Sequence, residues 1–172
     1  SEMAMNLHTK NGGEAASSAA EASKNANFAI TMLPNGKATK EAVLGADGII
    51  EKLPKDSLII DMSTIHPLET DQIRKDLEEN GFSMVDAPVG RTSVEAEKGQ
   101  SLFMVGAEKQ DFKIAQPILA CMGDTIIDCG GPGTGSRMKI VNNLMTTSLN
   151  VLTAQVLTFS DATGLDRDVA LK

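Results

Sequence analysis

The stretch Ser57-Leu58-Ile59-Ile60-Asp61-Met62-Ser63-Thr64-Ile65-His66-Pro67-Leu68-Glu69 places a short apolar run directly before the start of a helix. Leu58, Ile59 and Ile60 show no polar alternation, which is the pattern of a strand covered on both faces. From His66 to Asn80 the period changes. Pro67 suits a first helical turn, Glu69 follows it, and Leu68, Ile73 and Leu77 alternate with charged residues as in an amphipathic helix that Gly81 ends. Towards the N-terminus, the Ala- and Ser-rich segment Glu14 to Asn27 predicts a helix, and the apolar run Phe28 to Leu33 stops at the turn Pro34-Asn35-Gly36. A helix from Lys37 to Leu44 and a turn from Gly45 to Gly48 come next. Towards the C-terminus, Phe82 to Asp86, Ser101 to Val105 and Thr125 to Asp128 read as strands, with a helix from Gln110 to Met122 between the last two.

Short, two-sided apolar strands separated by helices predict an α/β fold with a mostly parallel sheet. From Gly135 to about Ala162 the sequence predicts one long helix, with Met138, Val141, Met145, Leu149, Leu152, Val156 and Phe159 as its apolar stripe. Such a helix spans roughly 40 Å. That length suits a connector from the sheet domain, residues 1–133, into an all-helical domain, so that residues 134–172 hold the long interdomain helix and only the start of that domain, near Asp166.

The chain has 172 residues, 41% of them apolar, and a net charge of −7. One full core can therefore be buried, and nucleic acid is excluded as a partner because phosphate binding needs concentrated Lys and Arg. No apolar run reaches the roughly 18 residues of a membrane span. A soluble cytoplasmic protein with no membrane partner is expected. Cys121 and Cys129 lie in apolar or glycine-rich surroundings and are expected to be buried free thiols, not zinc ligands. His8 and His66 cannot furnish a metal cluster or a Ser-His-Asp triad, so no metal is expected. His66 reads as a helix-start residue.

Two segments could carry chemistry. In Gly130-Gly131-Pro132-Gly133-Thr134-Gly135-Ser136-Arg137-Met138-Lys139-Ile140-Val141-Asn142-Asn143, the glycine turn lacks the Gly-Lys-Ser/Thr ending of a P-loop and the third glycine of Gly-x-Gly-x-x-Gly. The helix after it is more informative. Lys139, Asn142, Asn143 and Thr146 stand at i, i+3, i+4 and i+7 and share one face without a second charge. A solvated polar stripe fits that pattern, as does a face that orients a small oxygenated ligand. In the second segment, Asp86-Ala87-Pro88-Val89-Gly90-Arg91-Thr92-Ser93, Arg91 offers a planar fork to an anion. Thr92 and Ser93 add hydroxyls and backbone donors at a predicted helix start. A surface arginine followed by a helix cap is the competing reading.

Taken together, Thr31-Met32-Leu33-Pro34, Asp61-Met62-Ser63-Thr64, Asp86-Ala87-Pro88-Val89 and Gly133-Thr134-Gly135 through Lys139 to Asn143 resemble the 3-hydroxyisobutyrate dehydrogenase family of β-hydroxyacid dehydrogenases. The loop Gly90-Arg91-Thr92-Ser93 replaces the family's Ser-Gly-Gly. With Thr64-Ile65-His66-Pro67 and Gly81-Phe82-Ser83-Met84, it is similar to the sulfolactaldehyde reductase branch. The resemblance implies a Rossmann-type sheet domain, a long interdomain helix, a helical second domain and a homo-oligomer formed through that domain. It implies Lys139 as the catalytic lysine, with Asn142 and Asn143 holding the substrate; Thr146, on the same helix face, and the loop Gly90, Arg91, Thr92 and Ser93, with its arginine and hydroxyls, are expected to bind the substrate too. Met32, Leu33, Pro34 and Thr64 would line the NAD site.

By the same resemblance, the family's first strand and glycine-rich turn would precede Ser1, and most of the helical domain would follow Lys172. The 172 residues are therefore expected to be a piece that binds NAD(H) feebly and is inactive by itself. The segment that would choose between NAD and NADP is outside them, so NAD is expected and NADP stays open. The implied reaction is NAD(P)-dependent reduction of a small anionic aldehyde to its hydroxy acid, or the reverse. Sulfolactaldehyde is the first substrate to consider, and 3-hydroxyisobutyrate, 4-hydroxybutyrate and tartronate semialdehyde are the alternatives. A non-catalytic binding module of the same fold is the reading from another class.

Overall fold

A computed structural model describes residues 2–171; Ser1 and Lys172, the outermost residues of the two predicted domains, lie outside it. The sheet starts with three parallel strands, β1 (Phe28–Thr31), β2 (Leu58–Asp61) and β3 (Ser83–Asp86), joined in register so that Thr31, Asp61 and Asp86 form one row across their C-terminal ends. The connections are α3 (Gly36–Leu44) and α4 (Pro67–Glu79). Asn35 caps α3 by accepting from the Ala38 N–H, and His66 caps α4 by accepting from the Leu68 N–H. The helix-start reading of His66 thus has a physical basis.

The second half departs from an all-parallel sheet. After β3 the chain continues through β4 (Val89–Gly90), pairing antiparallel with β5 (Ser101–Gly106) in the same register as β3, Asp86 facing Gly106 and Gly90 facing Leu102. Only the short helix α5 (Ser93–Glu97) lies in the connection from β4 to β5. A parallel crossover needs a dozen or more residues, so this connection returns the chain antiparallel. Helix α6 (Lys109–Leu119) then restores a parallel step to β6 (Gly123–Gly130).

Two cores result. One lies between the sheet and α6, with Leu58, Ile60, Val85, Phe103, Val105 and Leu119 at its centre; the other packs Ile59, Ile73, Leu77, Phe82 and Met84 under α3 and α4. Alternate residues of β2 and β3 point into different cores, which explains their unbroken apolar runs. The long helix α7 (Thr134–Ala162) follows β6, and α8 (Arg167–Ala170) ends the described residues. The apolar stripe of α7 is exposed, Phe159 to 72%.

Two expectations change. The predicted helix from Glu14 to Asn27 is confined to α2 (Ala19–Ser23), because the Ser18 side chain accepts from the Glu21 N–H and caps it there. A helix α1 (Glu2–Lys10), which buries none of its residues, precedes it. Cys121 is exposed and Cys129 partly so, instead of buried: Cys121 follows the end of α6 and Cys129 lies near the end of β6. No helix among the described residues is long and apolar enough to cross a membrane.

Candidate active site

The ends of β1 and β2 carry the two loops expected to line a cofactor, and buried polar groups hold them together. Asp61 accepts from the Thr31 hydroxyl at 2.8 Å and from the Ser63 N–H at 3.1 Å. The Ser63 hydroxyl oxygen accepts from the Leu33 N–H at 2.8 Å and lies 3.4 Å from the Thr39 hydroxyl. All four polar side chains are buried. Burial pushes the Asp61 carboxyl above its ordinary range, against the pull of its bonds to Ser63 and Thr31. Because the Leu33 N–H is committed to Ser63, what the loops offer a ligand is the exposed Met32, Pro34 and Thr64 side chains and half-buried Leu33. An apolar edge with one hydroxyl fits a nicotinamide ring and its amide. Met32 also lines, with Met62, Val89, Phe103 and Met122, a groove of about 480 Å³.

The first turn of α7 is anchored to the sheet. Gly133, at φ 82°, precedes the helix without a capping side chain. The Asp86 carboxylate accepts instead from the Gly133 N–H at 2.6 Å and the Ser136 N–H at 2.7 Å. The hydroxyls of Ser136 and Thr70 lie 3.0 Å apart, and Arg137 forms a bidentate pair with Asp71 of α4. Asp86 is 2% exposed. Burial raises its pKa, opposed by the two backbone donors.

One turn further along stands Lys139, half-buried and without a hydrogen bond or ion pair to any described residue. Burial holds its ammonium below the ordinary lysine range. Partly buried Asn142 and exposed Asn143 share its face, and neither side chain is engaged within the chain. Thr146 donates its hydroxyl to the Asn142 carbonyl at 2.9 Å, so towards a ligand it can only accept. An apolar groove further along α7, lined by Val151, Ala154, Gln155, Thr158, Phe159 and Ala162, begins roughly 18 Å beyond Lys139 and has no titratable group.

The segment from Gly90 to Ser93 runs from β4 into α5. Gly90 is buried against Leu102 and Met104 of β5. Arg91 has φ 68° and donates to the Gln100 carbonyl, to Asp124 at 2.6 Å and to Thr125 at 2.9 Å. Three of its five N–H groups are thus engaged, leaving Nε and one N–H of Nη2 free among the described residues. Thr92 and Glu95 form a capping box at the start of α5, and Ser93 is that helix's first residue. The structure therefore groups Lys139, Asn142, Asn143 and Thr146 on one helix, joins the Leu33 and Thr64 loops through Ser63, and ties Arg91 to β6. Asp86, Asp61 and Ser63 had no assigned role in the sequence. The available signal was an acidic residue closing each apolar run, in Leu58-Ile59-Ile60-Asp61 and in Met84-Val85-Asp86.

Comparison with known proteins gives a consistent picture. A family profile described as the NAD binding domain of 6-phosphogluconate dehydrogenase matches residues 1–131. The 3-sulfolactaldehyde reductase of Escherichia coli is 46% identical over 161 residues, covering 94% of this chain and 54% of that protein. Human mitochondrial 3-hydroxyisobutyrate dehydrogenase is 38% identical over 161 residues, covering 94% of this chain and 48% of that one. The chain thus spans about half the length of the curated relatives it matches. A solved structure of Mycobacterium tuberculosis 3-hydroxyisobutyrate dehydrogenase with L-serine superposes with a TM-score of 0.90 at 28% identity, over 96% of this chain and 56% of that one.

Proposed function

Because the chain belongs to the family described as the NAD binding domain of 6-phosphogluconate dehydrogenase, we propose that the whole protein reduces a small anionic aldehyde to its hydroxy acid, or oxidises it back, with Lys139 as the proton donor. The observation that carries this reading is the unpaired, half-buried ammonium of Lys139 with two unengaged carboxamides on its face. A solvated stripe would leave a lysine fully hydrated, and burial without a counter-charge is tolerated where a ligand completes the site. A bound nicotinamide supplies or takes up the hydride. Leu33, Met32, Pro34 and Thr64 would hold it. Lys139 Nζ gives its proton to the carbonyl oxygen as that becomes an alkoxide, and the neutral amine recovers it in oxidation. Asn142 and Asn143 orient the oxygenated substrate, and the Thr146 oxygen accepts from a substrate hydroxyl. A homo-oligomer formed through the helical domain belongs to the same reading.

For the substrate we favour sulfolactaldehyde, reduced to dihydroxypropanesulfonate. Identity with the Escherichia coli sulfolactaldehyde reductase supports this, as do the two free N–H groups of Arg91. In a full-length enzyme built on this chain, sulfolactaldehyde should be turned over faster than succinate semialdehyde. Arg91→Gly should raise the apparent binding constant for sulfolactaldehyde about tenfold and leave a small uncharged aldehyde nearly unaffected. That size reflects a charged hydrogen bond at the lower end of its usual range, since Asp124 already shares the guanidinium. The substitution should spare the fold. It removes a partly exposed ion pair worth about 0–1 kcal/mol and relieves a left-handed residue that costs about 1–2 kcal/mol. Equal losses on both aldehydes would make Arg91 purely structural.

A further inference from the structure

We propose that Asp86 is the positioning residue for Lys139: by capping the first turn of α7 from the end of β3, it fixes the helix, and with it the lysine, against the sheet. This rests on the reading of Lys139 as proton donor. The first N–H groups of a helix have no partners within it, and Gly133 has no side chain to supply one. Asp86 meets two of these groups from 47 and 50 residues away in sequence. Its charge also faces the positive end of the helix dipole. Thr70 holds the same turn through Ser136. At Gly106 an added Cβ would lie 2.6 Å from the Gly135 nitrogen, so helix and strand are in direct backbone contact. Ser136 and Lys139 are one turn apart on this anchored segment. Since no described side chain holds the Lys139 ammonium, the backbone of that turn is what places it.

A double-mutant cycle in a full-length enzyme built on this chain tests the assignment. Asp86→Asn keeps the size of the side chain but turns an NH2 group towards one of the two N–H donors. With Lys139 present, kcat should fall roughly 30-fold, inside the hundredfold that an ångström of misplacement costs, while KM for NADH should change less than about threefold. In the Lys139→Ala background the same substitution should change the residual rate less than about threefold, because the proton transfer is gone and only the substrate-orienting Asn142, Asn143 and Thr146 remain to be positioned. Equal losses in the two backgrounds, or no loss with Lys139 present, would overturn the proposal and leave Asp86 a structural cap. A normal kcat for Lys139→Ala alone would overturn the proton-donor reading itself, and this inference with it. If Asp86→Asn melts below assay temperature, Thr70→Val loosens the same turn through Ser136. It should give about a fivefold loss that again shrinks without Lys139; additive losses would overturn positioning.

Discussion

Lys139→Ala in a full-length enzyme built on this chain should lower the rate of the chemical step by about two to four orders of magnitude, the usual contribution of a general acid. Affinity for NADH, measured by fluorescence titration, should change little, because the cofactor loops at the ends of β1 and β2 are held by Thr31, Asp61 and Ser63 and do not involve α7. Lys139→Arg should not restore the rate. A guanidinium retains its proton far more strongly than an ammonium and is longer and planar. The size of the loss separates the two readings of the polar face. A solvated lysine removed from a helix surface changes stability by no more than about 0.5 kcal/mol and turnover hardly at all.

The largest effect on stability is expected from Gly135→Ala. A Cβ there would lie well inside contact distance of the Met104 carbonyl oxygen, 2.6 Å from the Asp86 carbonyl oxygen and 2.9 Å from the Gly106 nitrogen. Backbone atoms of two strands cannot rotate away as a flexible side chain would, so the helix must lift. Overpacking of this kind costs about 3 kcal/mol or more, which outweighs the roughly 1 kcal/mol gained by replacing a helical glycine with alanine. For a chain of this size the net loss corresponds to a fall of roughly 4–8 °C in Tm, readable by circular dichroism. An unchanged or higher Tm would show that α7 does not need this close approach.

The elements that could be read from sequence are those whose local pattern and final environment agree. Leu58-Ile59-Ile60 is apolar because both of its faces become cores, and the 29 residues of α7 contain no proline and no glycine beyond the first turn. The antiparallel turn of β5 was not legible, since Ser101 to Val105 has the same two-sided character in either direction. Only the short connection after Gly90 sets it. Helix α1 buries no residue and so shows no core-facing stripe.

The site divides in the same way. Lys139, Asn142 and Asn143 are a local pattern on one helix and could be picked out, with family resemblance supplying their roles. The cap that Asp86 provides to α7 and the pairing of Arg91 with Asp124, 33 residues away, are long-range consequences of the fold. Arg91 as a free anion fork was a fair expectation from the loop alone, and Asp124 at the start of β6 gives that fork a protein partner.

Protonation of Lys139 is the step on which the proposed chemistry turns, and its pH dependence tests it most directly. Reduction requires the ammonium. As pH rises through the Lys139 pKa, which burial holds below that of an ordinary lysine, the single-turnover rate of NADH oxidation by aldehyde should fall. The rate of the reverse oxidation should rise over the same interval. Measured by stopped flow with saturating cofactor and substrate, each of these two opposite limbs should have its midpoint below the ordinary lysine range, and both should vanish in Lys139→Ala. The same limbs with unchanged midpoints in Lys139→Ala would contradict the account, because some other group would then be the proton donor.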